Sequence, residues 1–140
     1  MKTSIVRILA VFSAFAVTTA AYAEVTTVDR VRVLDGRLAE TLYYYENNWM
    51  AYRAAAKQAG VIESYELLID RSASDGEALL LFTVYRDQEQ YEAREANFAP
   101  IMSEASPAGP RLLNEVEPAE FRAVDYLGTF ETLNSADDSP

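Results

Sequence analysis

The sequence predicts an α+β fold of ferredoxin-like βαββαβ topology, in which a four-stranded antiparallel sheet carries both helices on one face. Alternating and helical apolar periodicities follow one another in the order strand, helix, strand, strand, helix, strand, which is the split βαβ order. Ser74-Asp75-Gly76 separates the two middle strands, and this composition is typical of a hairpin turn. The length of 140 residues corresponds to one domain.

The first half of the domain is predicted to form a strand, a long helix and a second strand. Val31 and Val33 alternate with arginines in a strand at 28–34. A helix follows over 38–59, and Gly60 stands where a helix C-terminal glycine is expected. The second strand is predicted at 61–70. Steps of three and four place one apolar stripe on the helix, made of Leu38, Leu42, Tyr45, Trp49, Tyr52 and Ala56.

The second half begins with a strand at 78–85 that is apolar on both faces, which predicts that both faces are covered. Asp87 is expected to cap the next helix, with Gln90 at the capping-box position. That helix is predicted to run to about residue 99, where Pro100 kinks or restarts it.

The last part of the domain is predicted to be a loop, one helical turn and a final strand. Two prolines and a glycine indicate a loop at 106–110, and the pair Glu117-Pro118 indicates a helical turn. The final strand is predicted at 124–132. Its apolar residues are expected in phase on one face: Val124, Tyr126 and Phe130.

The N-terminal segment has the pattern of an export signal. Lys2 and Arg7 precede an apolar run, and the A-x-A motif that ends at Ala23 is typical of a cleavage site. A membrane anchor is the alternative, but this apolar stretch is shorter than the roughly 20 residues that a span requires. We therefore expect a signal peptide at 1–23, a domain at 24–134, a disordered tail at 135–140 and a periplasmic or secreted location.

Composition excludes several classes of function. Removal of the signal would take two of the 12 basic residues and none of the 22 acidic ones, which changes the net charge from −10 to −12. Such a chain repels nucleic acid and anionic lipid, so neither is expected as a partner of the cleaved protein. The sequence contains no cysteine and no histidine, which excludes histidine-ligated haem or metal. We expect no cofactor and no metal.

A partner subunit is expected from the pattern of the strands. If both helices cover one face of the sheet, the other face of the apolar middle strands would be exposed to water. Two such sheets could cover each other face to face. The sequence therefore predicts a homodimer.

Three stretches carry a resemblance to a known superfamily. The first is YYYENNWMAYRAAAKQAGVIESYELL at 43–68, and the others are NFAPIM at 97–102 and LLNEVEPAEFR at 112–122. They resemble the dimeric α+β barrel proteins, and most closely a group of exported, uncharacterised bacterial proteins of that type. The resemblance implies the fold, a dimer and a ligand cavity between helices and sheet. It implies no single activity, because the superfamily hosts oxygenases, haem enzymes, isomerases and binding proteins.

The aromatic stripe is the first candidate site. Tyr45, Trp49 and Tyr52 point toward the expected cavity, together with Tyr65 and Tyr85 on strands, and could form a stacking wall for an aromatic or apolar ligand. The same spacing is equally that of a helix packed into the core.

Glu95 is the second candidate, because it falls on the apolar stripe of the second predicted helix and would need a cation partner. It could be a general base or ligand anchor, or form a structural ion pair. A local break at Pro100 could instead turn it to water. Its candidate partners are Arg53, Arg94 and Arg122.

The third candidate is Asn48 beside Trp49, with Arg53 one turn onward. The antibiotic-biosynthesis monooxygenases of the superfamily use these residue types without metal or flavin, and their phenolic substrate itself activates oxygen. Asn48 also fits a structural hydrogen bond. The sequence therefore predicts an exported protein that binds a small apolar or aromatic molecule. The alternatives are a cofactor-free monooxygenase or isomerase acting on a phenolic compound, and a purely structural dimer.

Overall fold

The computed structural model describes residues 23–133 of the chain. The predicted tail and all but the last residue of the predicted signal peptide lie outside the described residues. Within the described part, no helix is both long and apolar enough to cross a membrane.

The sheet has four antiparallel strands, which confirms the predicted ferredoxin-like α+β fold. The strands are β1 (Val25–Val33), β2 (Ser64–Asp70), β3 (Ala78–Tyr85) and β4 (Arg122–Glu131), and their order in the sheet is β2-β3-β1-β4. β1 and β4 begin earlier than predicted. β2 begins later, because Ile62, at 2% exposure, packs into the core ahead of the strand.

The long helical segment consists of α1 (Leu38–Tyr44), a π-helical turn (Tyr45–Trp49) and α2 (Met50–Gln58). It ends at Gly60 as predicted. The Val61 amide donates to Ala56 O at 3.0 Å and the Gly60 amide to Lys57 O at 3.0 Å, which is a Schellman motif. Gly60 has φ +72°, a conformation that glycine adopts without strain.

The remaining helices are α3 (Gln88–Glu92), α4 (Arg94–Ala105) and the single turn α5 (Pro118–Phe121). Asp87 caps α3 by accepting from the Gln90 amide at 2.8 Å. The Gln90 side chain accepts from the Arg86 amide at 2.7 Å rather than from Asp87, and it donates to Gly60 O at 2.9 Å. The break falls at Ala93, and α4 runs through Pro100. The sequence predicted a kink or restart of the helix at Pro100, but the helix is interrupted earlier, at Ala93.

Two apolar clusters hold the helices against one face of the sheet. One joins Val25 and Tyr85 to residues before β2 and on the helices, and the other joins Val31 and Leu79 to Tyr45. In the register of β1 with β3, Val25 pairs with Tyr85 and Val31 with Leu79, so both clusters lie on the same face. They occupy opposite ends of that face.

A β-bulge in β4 changes which of its side chains meet the helices. Val28 pairs with Gly128, but Asp29 pairs with Tyr126, so Leu127 is the extra residue. Tyr126 therefore lies on the helix face with Asp29, whereas Phe130 lies on the opposite face. This corrects the expectation that Tyr126 and Phe130 are in phase, because an inserted residue inverts the alternation beyond it.

The sheet face that points away from the helices is called the open face here. The register places Leu68, Leu80, Phe82, Val84 and Phe130 on it, and Leu68 and Phe130 are 41% and 52% exposed. The β2 part of this face is more polar than predicted, because Ser64, Glu66 and Asp70 share it with Leu68. The apolar character comes mainly from β3.

Candidate functional site

A cavity of about 450 Å³ lies between the helices and the sheet, at the Val25–Tyr85 end. Strands supply its floor and helices its walls. Apolar, aromatic and charged side chains all contribute to its lining, which is formed by Thr27, Asp29, Arg53, Tyr85, Tyr91, Arg94, Glu95, Phe98, Met102 and Tyr126. The volume lies within the range of roughly 300–1,000 Å³ that is usual for small-molecule sites.

Arg53 is the cation at the centre of this cavity. Its guanidinium lies 4.3 Å from the Phe98 ring centroid and 5.1 Å from that of Trp49, so aromatic rings hold its plane. Nε donates to Thr83 Oγ1 at 2.9 Å. Among residues 23–133 the terminal nitrogens of Arg53 have neither an ion-pair partner nor a hydrogen-bond acceptor. These nitrogens are therefore available to a ligand.

The pKa of Arg53 is lowered, mainly because burial disfavours its charge, while Tyr85 and Asp29 act in the opposite direction. An arginine remains protonated even so. A desolvated cation of this kind interacts more strongly with an anionic or partly negative ligand oxygen than an exposed one does.

Asp29 is the carboxylate that shares the cavity with Arg53. It lies half-buried on the helix face of β1, opposite the bulge in β4. Burial raises the pKa of Asp29, and the charge of Arg53 partly offsets this effect. No ion pair or side-chain hydrogen bond to Asp29 is formed within the described part of the chain. Asp29 and Arg53 therefore present an acceptor and a donor to one ligand.

Tyrosines complete the polar part of the lining. Tyr85 and Tyr91 meet edge to face, with ring centroids 5.5 Å apart. The Tyr91 and Tyr126 hydroxyls both share hydrogen bonds with Thr129. Burial raises the pKa of Tyr85, and Arg53 and Arg94 act against this rise. The three tyrosines supply hydroxyl groups and ring faces to the cavity.

The cavity is suited to an aromatic molecule that carries hydrogen-bonding groups. Its formal charges balance, because two carboxylates face two arginines, while Phe98 and Met102 add apolar surface. Among residues 23–133, no group of three or more Asp, Glu, His or Cys side chains is placed to hold a metal ion. The cavity lining supplies carboxylate, guanidinium and phenol groups.

Three of the nine predicted site residues line the cavity: Arg53, Tyr85 and Glu95. Trp49 lies behind them, between Arg53 and Tyr65. The ring centroids of Trp49 and Tyr65 are 5.9 Å apart. Tyr52 is half-buried on α2 and does not line the cavity. Of the predicted aromatic residues, Trp49 therefore supports the cavity wall behind Arg53, and Tyr85 forms part of the cavity surface.

Tyr45 and Arg122 lie at the other end of the interface, in a filled cluster. Arg122 stacks 4.4 Å from the Tyr44 ring centroid and donates to the hydroxyls of both Tyr44 and Tyr45. Tyr45 is only 2% exposed, and Phe121 packs against Tyr44 at 5.6 Å. Burial raises the pKa of Tyr45, whereas Arg122 acts to lower it.

Asn48 is also committed to structural contacts. Its Nδ2 donates to Tyr44 O at 2.9 Å and to Arg111 O at 2.8 Å, and its Oδ1 accepts from the Arg111 amide at 2.7 Å. The side chain is therefore saturated with backbone partners and lies away from the cavity. It fastens the 106–117 connection to the π-helical turn.

Glu95 reaches the mouth of the cavity but does not face the sheet. Its side chain is 88% exposed, and its closest cation is Arg94 at 3.6 Å. The sequence predicts Glu95 on the apolar stripe of one helix, or turned to water by a break at Pro100. Glu95 is turned to water, but the break lies at Ala93, between α3 and α4, and α4 continues through Pro100.

Sequence reasoning missed Asp29, although the sequence contains a signal for it. Asp29 has the same strand phase as Val31 and Val33, so the alternation that turns Val31 inward also turns this carboxylate inward. An acidic residue on the apolar phase of a central strand is unusual. Tyr126 was assigned to the final strand, but the bulge that places it opposite Asp29 has no clear sequence signature.

Comparison with known proteins supports the fold. A mutant of SnoaB, a cofactor-independent oxygenase from Streptomyces nogalater, matches with a TM-score of 0.50 and 19% identity over 81% of this chain and 96% of that one. A protein of unknown function from Bacteroides thetaiotaomicron, described as a possible oxidoreductase, matches with a TM-score of 0.49 and 15% identity over 80% of this chain and 100% of that one. No protein-family model matches, and no curated protein matches. The SnoaB likeness agrees with the ferredoxin-like α+β architecture.

Proposed function

We propose that the protein binds a small aromatic molecule with a hydroxyl or carbonyl group in the cavity between helices and sheet. The observation that carries this proposal is Arg53. Its guanidinium is desolvated, is held by Thr83 and two aromatic rings, and has terminal nitrogens without acceptors in residues 23–133. Among residues 23–133 no fully buried side-chain nitrogen lacks a partner, so these terminal nitrogens are accessible from the cavity. A ligand in the cavity can therefore complete their hydrogen bonds.

The aromatic character of the ligand follows from the walls. Tyr85, Tyr91 and Phe98 offer ring faces and edges, and Met102 offers a polarizable apolar side chain. Asp29 accepts a hydrogen bond and Arg53 donates one, so a phenolic hydroxyl can interact with both. A purely apolar ligand would leave both groups without partners.

Isothermal titration calorimetry with 2-naphthol tests this proposal, and 2-methoxynaphthalene is the matched control because it lacks the donor hydrogen. We expect 2-naphthol to bind at least about tenfold more tightly, since the ether leaves Asp29 without a donor. Equal affinities, or no binding of either compound, would contradict the proposal.

A second candidate function is cofactor-free catalysis, as an oxygenase or isomerase acting on a phenolic compound. The observation that favours it is the presence of Asp29 and Arg53 in one cavity, since a carboxylate can take a proton and a guanidinium can stabilise the resulting anion. SnoaB is a cofactor-independent oxygenase, but that likeness concerns the fold, so the argument depends on the residues of this chain.

A homodimer that buries the open face is part of the proposal. Leu80, Phe82 and Val84 of β3 lie on this face, beside the exposed Leu68 and Phe130. Contiguous apolar surface of this kind favours association. Sedimentation of the cleaved form as a monomer at micromolar concentration would contradict the dimer.

Export is proposed from the sequence pattern alone. Cleavage after Ala23 would release a protein that begins at Glu24. Intact mass spectrometry of the protein from a bacterial periplasmic fraction should give the mass of residues 24–140. A mass that includes residues 1–23 would contradict cleavage. The same spectrum, recorded under native conditions, would report subunit number and any co-purifying small molecule.

A further inference from the structure

We propose that Asp29 is a general base that takes a proton from the substrate, and that Arg53 binds the substrate oxygen on which negative charge develops. The inference rests on the proposed binding function, because it places the substrate in the same cavity. It deepens the second candidate function by naming the reaction step and the class of substrate.

The first argument is the environment of Asp29. Two other aspartates lie on strands: Asp125 forms an ion pair with Arg32 at 3.0 Å, and Asp70 accepts from the Ser72 hydroxyl at 2.7 Å. Asp75 in the hairpin loop pairs with Arg30 at 2.6 Å. Asp29 has no such partner among residues 23–133, although Arg53 shares its cavity. Its carboxylate is therefore not committed to a structural contact and can act on a bound molecule.

Burial strengthens this carboxylate as a base. The pKa of Asp29 is raised above its ordinary value by desolvation, and a more basic carboxylate takes a proton from a weak acid more readily. The titratable and charged groups that face it across the cavity are supplied by α2, β3, α3, α4 and β4. They are Arg53, Tyr85, Tyr91, Arg94, Glu95 and Tyr126.

The second argument is the rigidity of Arg53. The hydrogen bond to Thr83 fixes Nε, and the rings of Trp49 and Phe98 fix the plane of the guanidinium. The terminal nitrogens are therefore oriented before a substrate binds. Donors that are held in place in this way stabilise a developing oxyanion without reorganisation during the reaction.

These two roles define a class of substrate, a small aromatic β,γ-unsaturated ketone whose C–H bond between the carbonyl and the C=C double bond is acidic. Asp29 takes the proton, the C–H electron pair forms the carbon–carbon double bond of an enolate, and the carbonyl oxygen takes the displaced pair beside Arg53. Return of the proton from Asp29 to another carbon completes an isomerisation. Atoms and electrons balance without an oxidant or a reductant.

The Kemp elimination of 5-nitrobenzisoxazole tests the step directly, because this aromatic probe reports on a base and an oxyanion donor together. The base takes the ring C–H proton, the electron pair forms a nitrile, and the N–O bond breaks to give a coloured phenolate. We expect the wild-type protein to accelerate this reaction, with a rate that rises with pH as Asp29 loses its proton.

Asp29→Asn should lower the rate at least about 100-fold, which is the usual contribution of a general base. Asp29→Glu should restore part of the rate and keep the pH dependence. Asp75→Asn is the matched control, since Asp75 lies in the hairpin loop at the opposite end of β3, and its rate should equal that of the wild type. A wild-type protein without activity, or an Asp29→Asn variant with the wild-type rate, would overturn the inference.

Binding of 2-naphthol, measured on the same samples, separates this inference from the proposed function. Binding without Kemp activity would leave the binding function intact and contradict the role of Asp29. Absence of binding would contradict the binding function itself. Retained binding of 2-naphthol by Asp29→Asn, even if weakened, would show that the variant is folded and that its rate loss is chemical.

Discussion

Arg53 and Arg122 occupy opposite ends of one helix–sheet interface, and both stack on aromatic rings, yet their surroundings differ. Arg122 donates to the hydroxyls of Tyr44 and Tyr45 within a filled core. Arg53 uses Nε for Thr83 and leaves its terminal nitrogens at the cavity. Residue type and stacking therefore do not distinguish a structural arginine from a ligand-binding one. The distinction lies in whether the hydrogen-bonding capacity of the guanidinium is satisfied.

The largest loss of stability is expected from Asn48→Ala, at the end of the interface that holds Arg122. The substitution removes the two bonds that Asn48 makes with the Arg111 amide and carbonyl, and also the bond to Tyr44 O. We expect the free energy of unfolding to fall by about 3 kcal/mol. Urea denaturation would measure this change. Asn47→Ala is the matched control, because Asn47 makes only a single backbone bond, to Tyr43 O. An equal fall in the free energy of unfolding for the two variants would contradict the tethering role of Asn48.

Arg122→Met should cause the next largest loss of stability. It leaves the buried Tyr45 hydroxyl without its donor and removes the stacking on Tyr44, which together should lower the free energy of unfolding by about 2 kcal/mol. Affinity for 2-naphthol should not change. Arg71→Met, which removes an exposed ion pair with Glu77, should cost less than about 1 kcal/mol. If Arg122→Met weakened the binding of 2-naphthol, the ligand site would have to include the cluster of Arg122, Tyr44 and Tyr45.

Arg53→Met should have the opposite effects: little change in stability and weaker binding of 2-naphthol. Methionine fills the space between Trp49 and Phe98 without a charge, so the free energy of unfolding should stay within about 1 kcal/mol of wild type or rise. Affinity for 2-naphthol, measured by calorimetry, should fall at least about tenfold. A loss of stability as large as that of Arg122→Met would show that the two ends are alike.

Asp29→Asn should change the pH dependence of stability. Because burial raises the folded-state pKa of Asp29 above its ordinary value of 3.8, the native state binds more protons than the unfolded state in the window above 3.8. Stability from this group therefore falls as pH rises through that window. The substitution should remove this fall in denaturation curves recorded at a series of pH values.

Asp70→Asn provides a contrast for that experiment. Hydrogen bonds from Ser72 lower the pKa of Asp70 below its ordinary value of 3.8. Its contribution is therefore present above that value and lost as pH falls. The two aspartates should thus shift the stability profile in opposite directions. Profiles that shift in the same direction would contradict the raised pKa of Asp29.

Thr83→Val should give the smallest effect. It removes the hydroxyl that fixes Arg53 Nε but keeps the shape of the side chain, so 2-naphthol affinity should fall about threefold through looser positioning. Thr83→Ser should restore it, because the hydroxyl returns. If Thr83→Ser behaves like Thr83→Val, the hydroxyl is not what positions Arg53.

Much of the fold could be predicted from the sequence because its signals are local. A continuous apolar run placed β3 correctly, the helix cap at Asp87 and the C-terminal glycine at Gly60 are present, and the turn at Glu117-Pro118 forms as expected. The π-helical turn, the break at Ala93 and the bulge at Leu127 were not predicted. The π-helical turn is bonded through Asn48 to Arg111, and the bulge lies opposite β1, so both involve contacts between elements that are distant in sequence.

The candidate site was only partly predictable for the same reason. Arg53, Tyr85 and Glu95 were named because their residue types and helix or strand phases suggested function. Tyr45, Asn48 and Arg122 have equally suggestive chemistry, but tertiary contacts with Tyr44 and Arg111 satisfy them. A pattern of residue types shows what a side chain can do, whereas packing decides whether its capacity remains free.

A ¹⁵N–¹H correlation spectrum recorded during titration with 2-naphthol tests the central claim most directly, because it reports on both ends of the interface at once. The account predicts saturable shifts at the Arg53 Nε–H resonance and at the Asp29 and Tyr126 amides, with the Asn48, Arg111 and Arg122 resonances unchanged. Saturable shifts centred on Asn48 and Arg122, with Arg53 unchanged, would contradict it.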